Sequence, residues 1–299
     1  MSGIPWSRPG LRRERWHGPL FLALPLLYLG AIVLLPLLQA LRSSLMRIRG
    51  LNARFIGLDN YSNVITSETF WTSLGLSLRF TATCVVLHLL VGLGLALLLQ
   101  SAGRARTVLR MILLTPWMVA PAIAATIWLW LLEPNFGVLN YLLSLTGFGR
   151  GDEGWLGEPS SAFAAVVAVD VWRGVPFVML LLSAGLQTIP IEQYEAAQID
   201  GANAWQKFRH VTLPNLGYIL AITTTLDVIN TIRQFDIIAV LTGGGPAGAT
   251  EVLPVLLYNT AFRANNLGSA AAIGVLMLLV VLAFAAVHVV LTGLGGARE

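Results

Sequence analysis

The sequence predicts an all-α integral membrane protein with six transmembrane helices, and three observations lead there. Hydrophobic residues make up 56% and charged residues 11% of the 299 residues, with a mean hydropathy of +0.74, whereas charged residues supply about a quarter of an ordinary soluble chain. Six apolar runs are each long enough to cross about 30 Å of hydrocarbon. Between the fourth and fifth runs lies a polar interval, Gln193 to Pro214, that lacks the Ser, Gly and Pro content of a slack loop.

In chain order, residues 1–18 are polar and basic, with Arg8, Arg12, Arg13 and Arg15. The run from Pro19 to Leu41 that follows is longer than a signal-peptide core and reads as an uncleaved first span. Pro25 and Pro36 kink such a span without preventing insertion. A mixed loop occupies 42–73. The remaining spans are Leu74 to Leu99, Met111 to Leu132, Ser161 to Leu186, Gly217 to Leu241 and Gly268 to Leu291. Residues 19–291 then form one membrane domain, with the interval 187–216 and a tail 292–299 on the side of the N-terminus. The external loop after the third span carries Glu133, Asp152, Glu153, Trp155 and Glu158, with a short interfacial helix expected near Val138 to Leu145, and the loop after the fifth contains a glycine-rich turn, Gly243 to Pro246. With the N-terminus inside, ten Lys and Arg fall on inner segments and six on outer ones. That count favours the N-in orientation, although Arg42, Arg47, Arg49 and Arg54 of the first external loop work against it.

Several chemistries are excluded. The single lysine, Lys207, stands between Gln206 and Phe208, so the chain has no P-loop and any nucleotide chemistry belongs to a partner. The glycine-rich turn is no phosphate cradle, because no Lys or helix-opening Ser or Thr follows it at the required spacing. The single Cys84 leaves no disulfide or CxxC motif. His17, His88, His210 and His288 lack a second ligand at helical spacing, so His88 and His288, both within spans, read as packed or interhelically bonded and no metal site is expected. No cofactor and no nucleic-acid partner are expected either.

The polar interval is the most informative stretch. Pro190 suits a helix opening, and Glu192 and Glu195 lie in the first turn, where the helix dipole favours acids. Gly201 and Asn203 allow a break. Trp205, Phe208, Val211 and Leu213 then restart an apolar stripe expected to stop at Pro214, which gives a helix, a turn and a second helix outside the membrane.

Glu195, Ala196, Ala197, three further residues, Gly201, nine further residues and Val211-Thr212-Leu213-Pro214 together resemble the EAA loop of permease subunits in binding-protein-dependent ABC importers, with Val211 where Ile is usual. Phe55 to Tyr61 (FIGLDNY), Trp172 to Phe177 (WRGVPF), Phe235-Asp236 and Leu241 to Pro246 (LTGGGP) look like the carbohydrate branch of that family, the maltose-type and glycerol-phosphate-type permeases. The resemblance implies a multi-pass subunit of a bacterial-type inner membrane with both termini cytoplasmic. It further implies a pseudo-twofold pairing with a second homologous permease, two ATP-binding subunits, and an extracytoplasmic binding protein that delivers a carbohydrate. Glu195, Ala196, Ala197, Asp200, Gly201, Leu213 and Pro214 are then the coupling surface: Glu195 a charged contact, the alanines a close-packed face, and Gly201 the turn that fits a cleft on the ATPase.

Polar residues inside spans are costly and mark paths or partners. Thr223, Asp227, Asn230 and Gln234 recur every three or four residues on one helix face, and either line a translocation path or bond the partner permease. Arg233 and Asp236 stand at the spacing of an ion pair, as do Asp170 and Arg173 in the fourth span, where Pro176 frees backbone groups. Trp172 and Phe177 offer aromatic faces to a sugar, and Arg79 is expected to snorkel to headgroups. An ion-coupled secondary transporter using Asp170 or Asp227 is the competing reading. Six spans without an internal repeat give it too little wall, and it leaves the polar helix pair unexplained. A membrane enzyme lacks any Ser/His/Asp set, HExxH or paired acidic motif.

Overall fold

Long apolar helices dominate the computed structural model, which describes residues 17–49, 52–146 and 154–293. Most of the basic N-terminal segment, Arg150, Asp152, Glu153 and the end of the tail lie outside the described residues. Helix α1 (His17–Ser44) leads into a hairpin of β1 (Met46–Arg49) and β2 (Asn52–Phe55), which pair antiparallel with Arg47 opposite Arg54. Next come α2 (Asp59–Ile65), α3 (Glu68–Ser101), α4 (Arg106–Met118), α5 (Pro121–Leu131), α6 (Val138–Thr146) and α7 (Pro159–Leu186). The chain continues through α8 (Ile191–Ile199), α9 (Ala204–Lys207), α10 (Leu213–Ile232), α11 (Asp236–Leu241), α12 (Leu253–Tyr258) and α13 (Leu267–Thr292).

Among the described residues five helical stretches are long and apolar enough to cross a membrane: Pro25–Ser44, Glu68–Ser101, Pro159–Leu186, Ala204–Leu241 and Leu267–Thr292. The stretch expected as a single span from Met111 to Leu132 is instead broken, and its two helices meet at 94°. The cause is local. Ala120 precedes Pro121 and, like Val119, takes an extended conformation, because the proline ring disfavours the helical region for the residue before it. Counting this bent pair as one span gives six.

Helices α3 and α7 run in the same direction, since the rings of Phe80 and Phe163 meet near one end and Gly92 abuts Val178 and Met179 further along. Helix α10 runs against α7, with Gly185 beside Ile219 and Asp170 bonded to Gln234. Glycines occupy the closest approaches: a Cβ on Gly92 would stand 2.9 Å from Val178 Cγ1, and one on Gly185 2.8 Å from Ile219 Cγ2. In lipid, where apolar burial does not drive helices together, such small residues permit the van der Waals packing that does. Phe80, Cys84, Val166, Val169, Ile237 and Ile238 fill one half of this core, and Leu99, Met179, Leu182 and Leu216 the other.

Helix α1 stands apart, packed on α13 and β1 with Leu26, Leu27 and Val33 exposed, as suits a surface solvated by lipid. Its end is tied by Asn60, whose Nδ2 donates to the carbonyls of Ser44 (2.8 Å) and Met46 (2.9 Å) and whose Oδ1 accepts from Ser269 Oγ (3.3 Å). Helix α6 forms where a short helix was expected, and Trp155 Nε1 donates to its buried Asn140 (2.6 Å). His288 bonds Thr225 across α13 and α10 (2.9 Å). Arg79 lays its guanidinium over the Phe163 ring, 4.7 Å from the centroid.

Candidate functional site

Two regions combine the polar residues singled out by the sequence. The first is a cavity of about 460 Å³ between α3, α4, α7 and α10, lined by His88, Trp117, Asp170, Arg173, Gly174, Phe177, Asp227, Asn230, Thr231, Arg233 and Gln234. Asp227 and Asn230 reach it from α10, and Gln234 from the turn just beyond that helix, closed by a bond from its N–H to the Thr231 carbonyl (3.0 Å), while Thr223 is buried and does not line it. Asp170 and Arg173 reach it from α7.

A buried polar network closes the wall. His88 Nδ1 lies 3.1 and 3.0 Å from the two carboxylate oxygens of Asp227, and its Nε2 lies 3.3 Å from the Asp170 carbonyl oxygen and 3.7 Å from Asp170 Oδ2. Gln234 Nε2 donates to Asp170 Oδ1 (2.8 Å). Burying two carboxylates demands such partners, since an unpaired buried charge is far costlier than a bonded one. The third wall comes from the broken helix: Arg173 Nε donates to the Val119 carbonyl (3.2 Å), one of the acceptors freed where α4 stops. Trp117, just before the break, stacks on Phe177 with ring centroids 5.7 Å apart and planes 19° from parallel.

Several expectations are corrected here. Asp170 and Arg173 form no ion pair with each other, because the guanidinium is drawn to Val119 and the carboxylate to Gln234 and His88. Arg233 and Asp236 do not pair either. Helix α10 ends at Ile232 and Asp236 opens α11, so helical i, i+3 geometry does not hold between them, and Arg233 bonds Ile229 O (2.9 Å) and Asn230 Oδ1 (3.2 Å) instead. Trp172 does not line the cavity; its ring meets Trp128 edge to face at 5.6 Å. Nothing in the sequence singles out Trp117, and His88 reads there only as packed or interhelically bonded. A lone ionisable residue in an apolar run, in a chain with two aspartates at similar depth, was the available signal for the latter.

The second region is the surface built by α8 and α9. Helix α8 opens at Pro190 and closes at Ile199, after which Gly201 takes a left-handed φ of +77° and Ala202 N–H bonds the Ala197 carbonyl (2.9 Å). Asn203 and Gln206 then form a reciprocal capping box, with bonds of 2.9 and 2.8 Å, that starts α9. Pro214 does not stop the second helix. It sits in the first turn of α10, where a wider turn over Phe208–Thr212 carries the helix past it through a bond from Leu213 N–H to the Phe208 carbonyl. Tyr194 bonds Thr212 (3.0 Å), and Asn215 Nδ2 donates to Gln193 (2.8 Å), fixing α8 against the start of α10. Glu192, Glu195, Ala196, Asp200 and Gly201 remain on the exposed side, while Ala197 is half-buried; Leu213 and Pro214 are also exposed. Ile199 is 87% and Trp205 65% exposed, an apolar display beside acids that suits a protein partner.

A model of the family described as binding-protein-dependent transport system inner membrane component matches residues 88–293. The chain is 42% identical over 234 residues to the trehalose/maltose transport system permease protein MalF of Thermococcus litoralis, covering 78% of each chain. It is 41% identical over 234 residues to the diacetylchitobiose uptake system permease protein DasB of Streptomyces coelicolor (78% of this chain, 71% of that one). To the sn-glycerol-3-phosphate transport system permease protein UgpA of Agrobacterium fabrum it is 39% identical over 262 residues, covering 84% of this chain and 86% of that one. A chain in the crystal structure of a bacterial ABC transporter involved in the import of the acidic polysaccharide alginate shares the fold, with a TM-score of 0.81 at 20% identity over 95% of this chain and 96% of that one. By family model and by these relatives, the chain belongs to the inner membrane components of binding-protein-dependent transport systems.

Proposed function

We propose that this chain forms, with a second permease, the translocation path for a sugar or related polyol delivered by an extracytoplasmic binding protein, and that two separate ATPases drive it. The carrying observation is the cavity at the helix break, where the amides of Asn230 and Gln234 and the Trp117–Phe177 pair offer neutral hydrogen bonds and aromatic faces. Such groups hold hydroxyls without trapping them, which suits a site that must also release its cargo. The names of the relatives support a carbohydrate: trehalose or maltose, diacetylchitobiose and glycerol phosphate.

In this reading Glu195, Ala196, Ala197, Asp200, Gly201, Leu213 and Pro214 dock on one ATPase, and closure of the ATPase pair moves the spans between inward- and outward-facing arrangements as a rigid-body transition. Both termini then face the ATPases, and 19–291 acts as one membrane domain flanked by 1–18 and 292–299. The test is reconstitution of this chain with its partner permease, ATPases and binding protein in proteoliposomes, with uptake of labelled maltose, trehalose, diacetylchitobiose and glycerol 3-phosphate. Saturable uptake requiring both ATP and the binding protein is expected; uptake driven by an ion gradient without ATP overturns the reading.

A further inference from the structure

His88 is 2% exposed, so it presents almost no surface to a cargo although it borders the cavity. Its bonding is unusual in kind. Nδ1 faces only the two carboxylate oxygens of Asp227, and Nε2 faces the carbonyl oxygen and, further off, the carboxylate of Asp170. Every neighbour is an acceptor, and a neutral imidazole has a hydrogen on only one nitrogen. Beside two ionised carboxylates, both nitrogens are satisfied only when each carries a hydrogen. The ring is then a cation set between two carboxylates that are 4 and 5% exposed.

The other cations of the cavity do not perform this task. Arg173 bonds Val119 O, and Arg233 bonds Ile229 O and Asn230; among the described residues neither pairs with Asp170 or Asp227. The ring reaches its place because α7 carries Gly174 opposite it, where a Cβ would overlap the imidazole. From His88 the network continues through Asp170 to Gln234, whose Nε2 is committed to Asp170 Oδ1. That commitment orients the amide and leaves its carbonyl oxygen as the acceptor for a cargo hydroxyl.

We propose that His88 is a positioning residue of the cavity: as an imidazolium tying α3 to Asp227 of α10 and Asp170 of α7, it fixes both walls and, through Asp170, the orientation of Gln234 toward a neutral polyol. This rests on the reading of the cavity as a sugar path. The experiment uses the assembled transporter with its binding protein and compares wild type, His88→Gln, and His88→Gln combined with Asp227→Asn. The double variant removes one positive and one negative charge together and so keeps the balance of the site.

The double variant is expected to assemble at wild-type yield and to keep binding-protein-stimulated ATP hydrolysis within twofold, while its half-saturation concentration for sugar uptake rises at least tenfold. His88→Gln alone is expected to assemble less well than the double variant, because it leaves two buried carboxylates without their cation. An unchanged half-saturation concentration in the double variant overturns the positioning role. So does a loss of yield, ATP hydrolysis and uptake in step, which marks the ring as interhelical packing only. Single-variant yield equal to or above that of the double variant overturns the imidazolium. Failure of the sugar-path reading is seen separately, as wild-type complex that hydrolyses ATP in response to the binding protein yet shows no saturable sugar uptake.

Discussion

Gly174 of α7 and His88 of α3 share one place in the cavity wall: a Cβ built on Gly174 would overlap the imidazole ring. Gly174→Ala is therefore expected to push the ring from between its two aspartates, at an overpacking cost of about 1–3 kcal/mol. Thermal unfolding of the purified complex measures this. Gly94→Ala in α3 is the control, since its Cβ meets nothing within 4 Å in this chain and alanine has the higher helix propensity. Equal unfolding temperatures for the two variants sink the argument.

Gly201 differs in kind. Its φ of +77° is left-handed, yet a Cβ there meets no atom of this chain within 4 Å. Asparagine tolerates that conformation better than other non-glycine residues, so Gly201→Asn should fold and insert as the parent does. Any loss in this variant then reports an outside partner rather than internal strain. Gly201→Asn and Gly201→Asp are both expected to lose co-purifying ATPase and uptake with insertion intact. Wild-type uptake and complex yield in both variants rule out the docking role of the turn.

On the proposed function the aromatic platform falls to Trp117 rather than Trp172. Trp117 stacks on Phe177 at the cavity, whereas Trp172 packs edge-on against Trp128 outside it. Trp117→Ala should raise the half-saturation concentration for uptake, with the stacked pair contributing about 0.5–1.5 kcal/mol beyond its buried area. Trp172→Ala should lower the unfolding temperature and leave that concentration near the wild-type value. The reverse pattern, read from uptake curves and melting scans on the same preparations, returns the platform to Trp172.

How far these features could be read from the chain depends on their range. The opening of α8 at Pro190 and its break at Gly201 rest on local backbone preferences and stand in the sequence as they stand in the fold. The bend at Val119 and Ala120 was equally local, marked by Pro121, but hydropathy measures the length of an apolar run and not its direction. Pro214 is ambiguous in the sequence for the opposite reason: a proline ends a helix or begins one according to the turn before it, and the wide turn over Phe208–Thr212 is no simple propensity. The pairing of Asp170 with Gln234 spans 64 residues of sequence. Nothing in either segment alone announces it, so the local i, i+3 pairs with arginine looked more plausible than they are. Asp227 and Asn230 share a face because helical periodicity fixes one whatever it meets, and Gln234, beyond the end of α10, joins them through the turn its N–H closes on the Thr231 carbonyl.

What that face meets sets the final prediction. Gln234 bonds Asp170 within this chain, and Asn230, which is exposed, accepts from Arg233 beside it. The two amides therefore differ in how much of the protein depends on them. Asn230→Ala removes an exposed group and should change uptake affinity without changing complex yield. Gln234→Ala leaves Asp170 Oδ1 without its donor, so it should both weaken uptake and lower the unfolding temperature of the complex, an interhelical bond of this kind being worth about 0.6 to 2 kcal/mol. If instead the stripe bonds the partner permease, Asn230→Ala is the variant that lowers complex yield, because the exposed amide is the one a partner can reach. Uptake, stimulated ATP hydrolysis and yield measured on one preparation separate the cases: for Asn230→Ala, yield falling in step with uptake makes the stripe interhelical glue, while weaker uptake at full yield and near-normal ATP hydrolysis places it on the path.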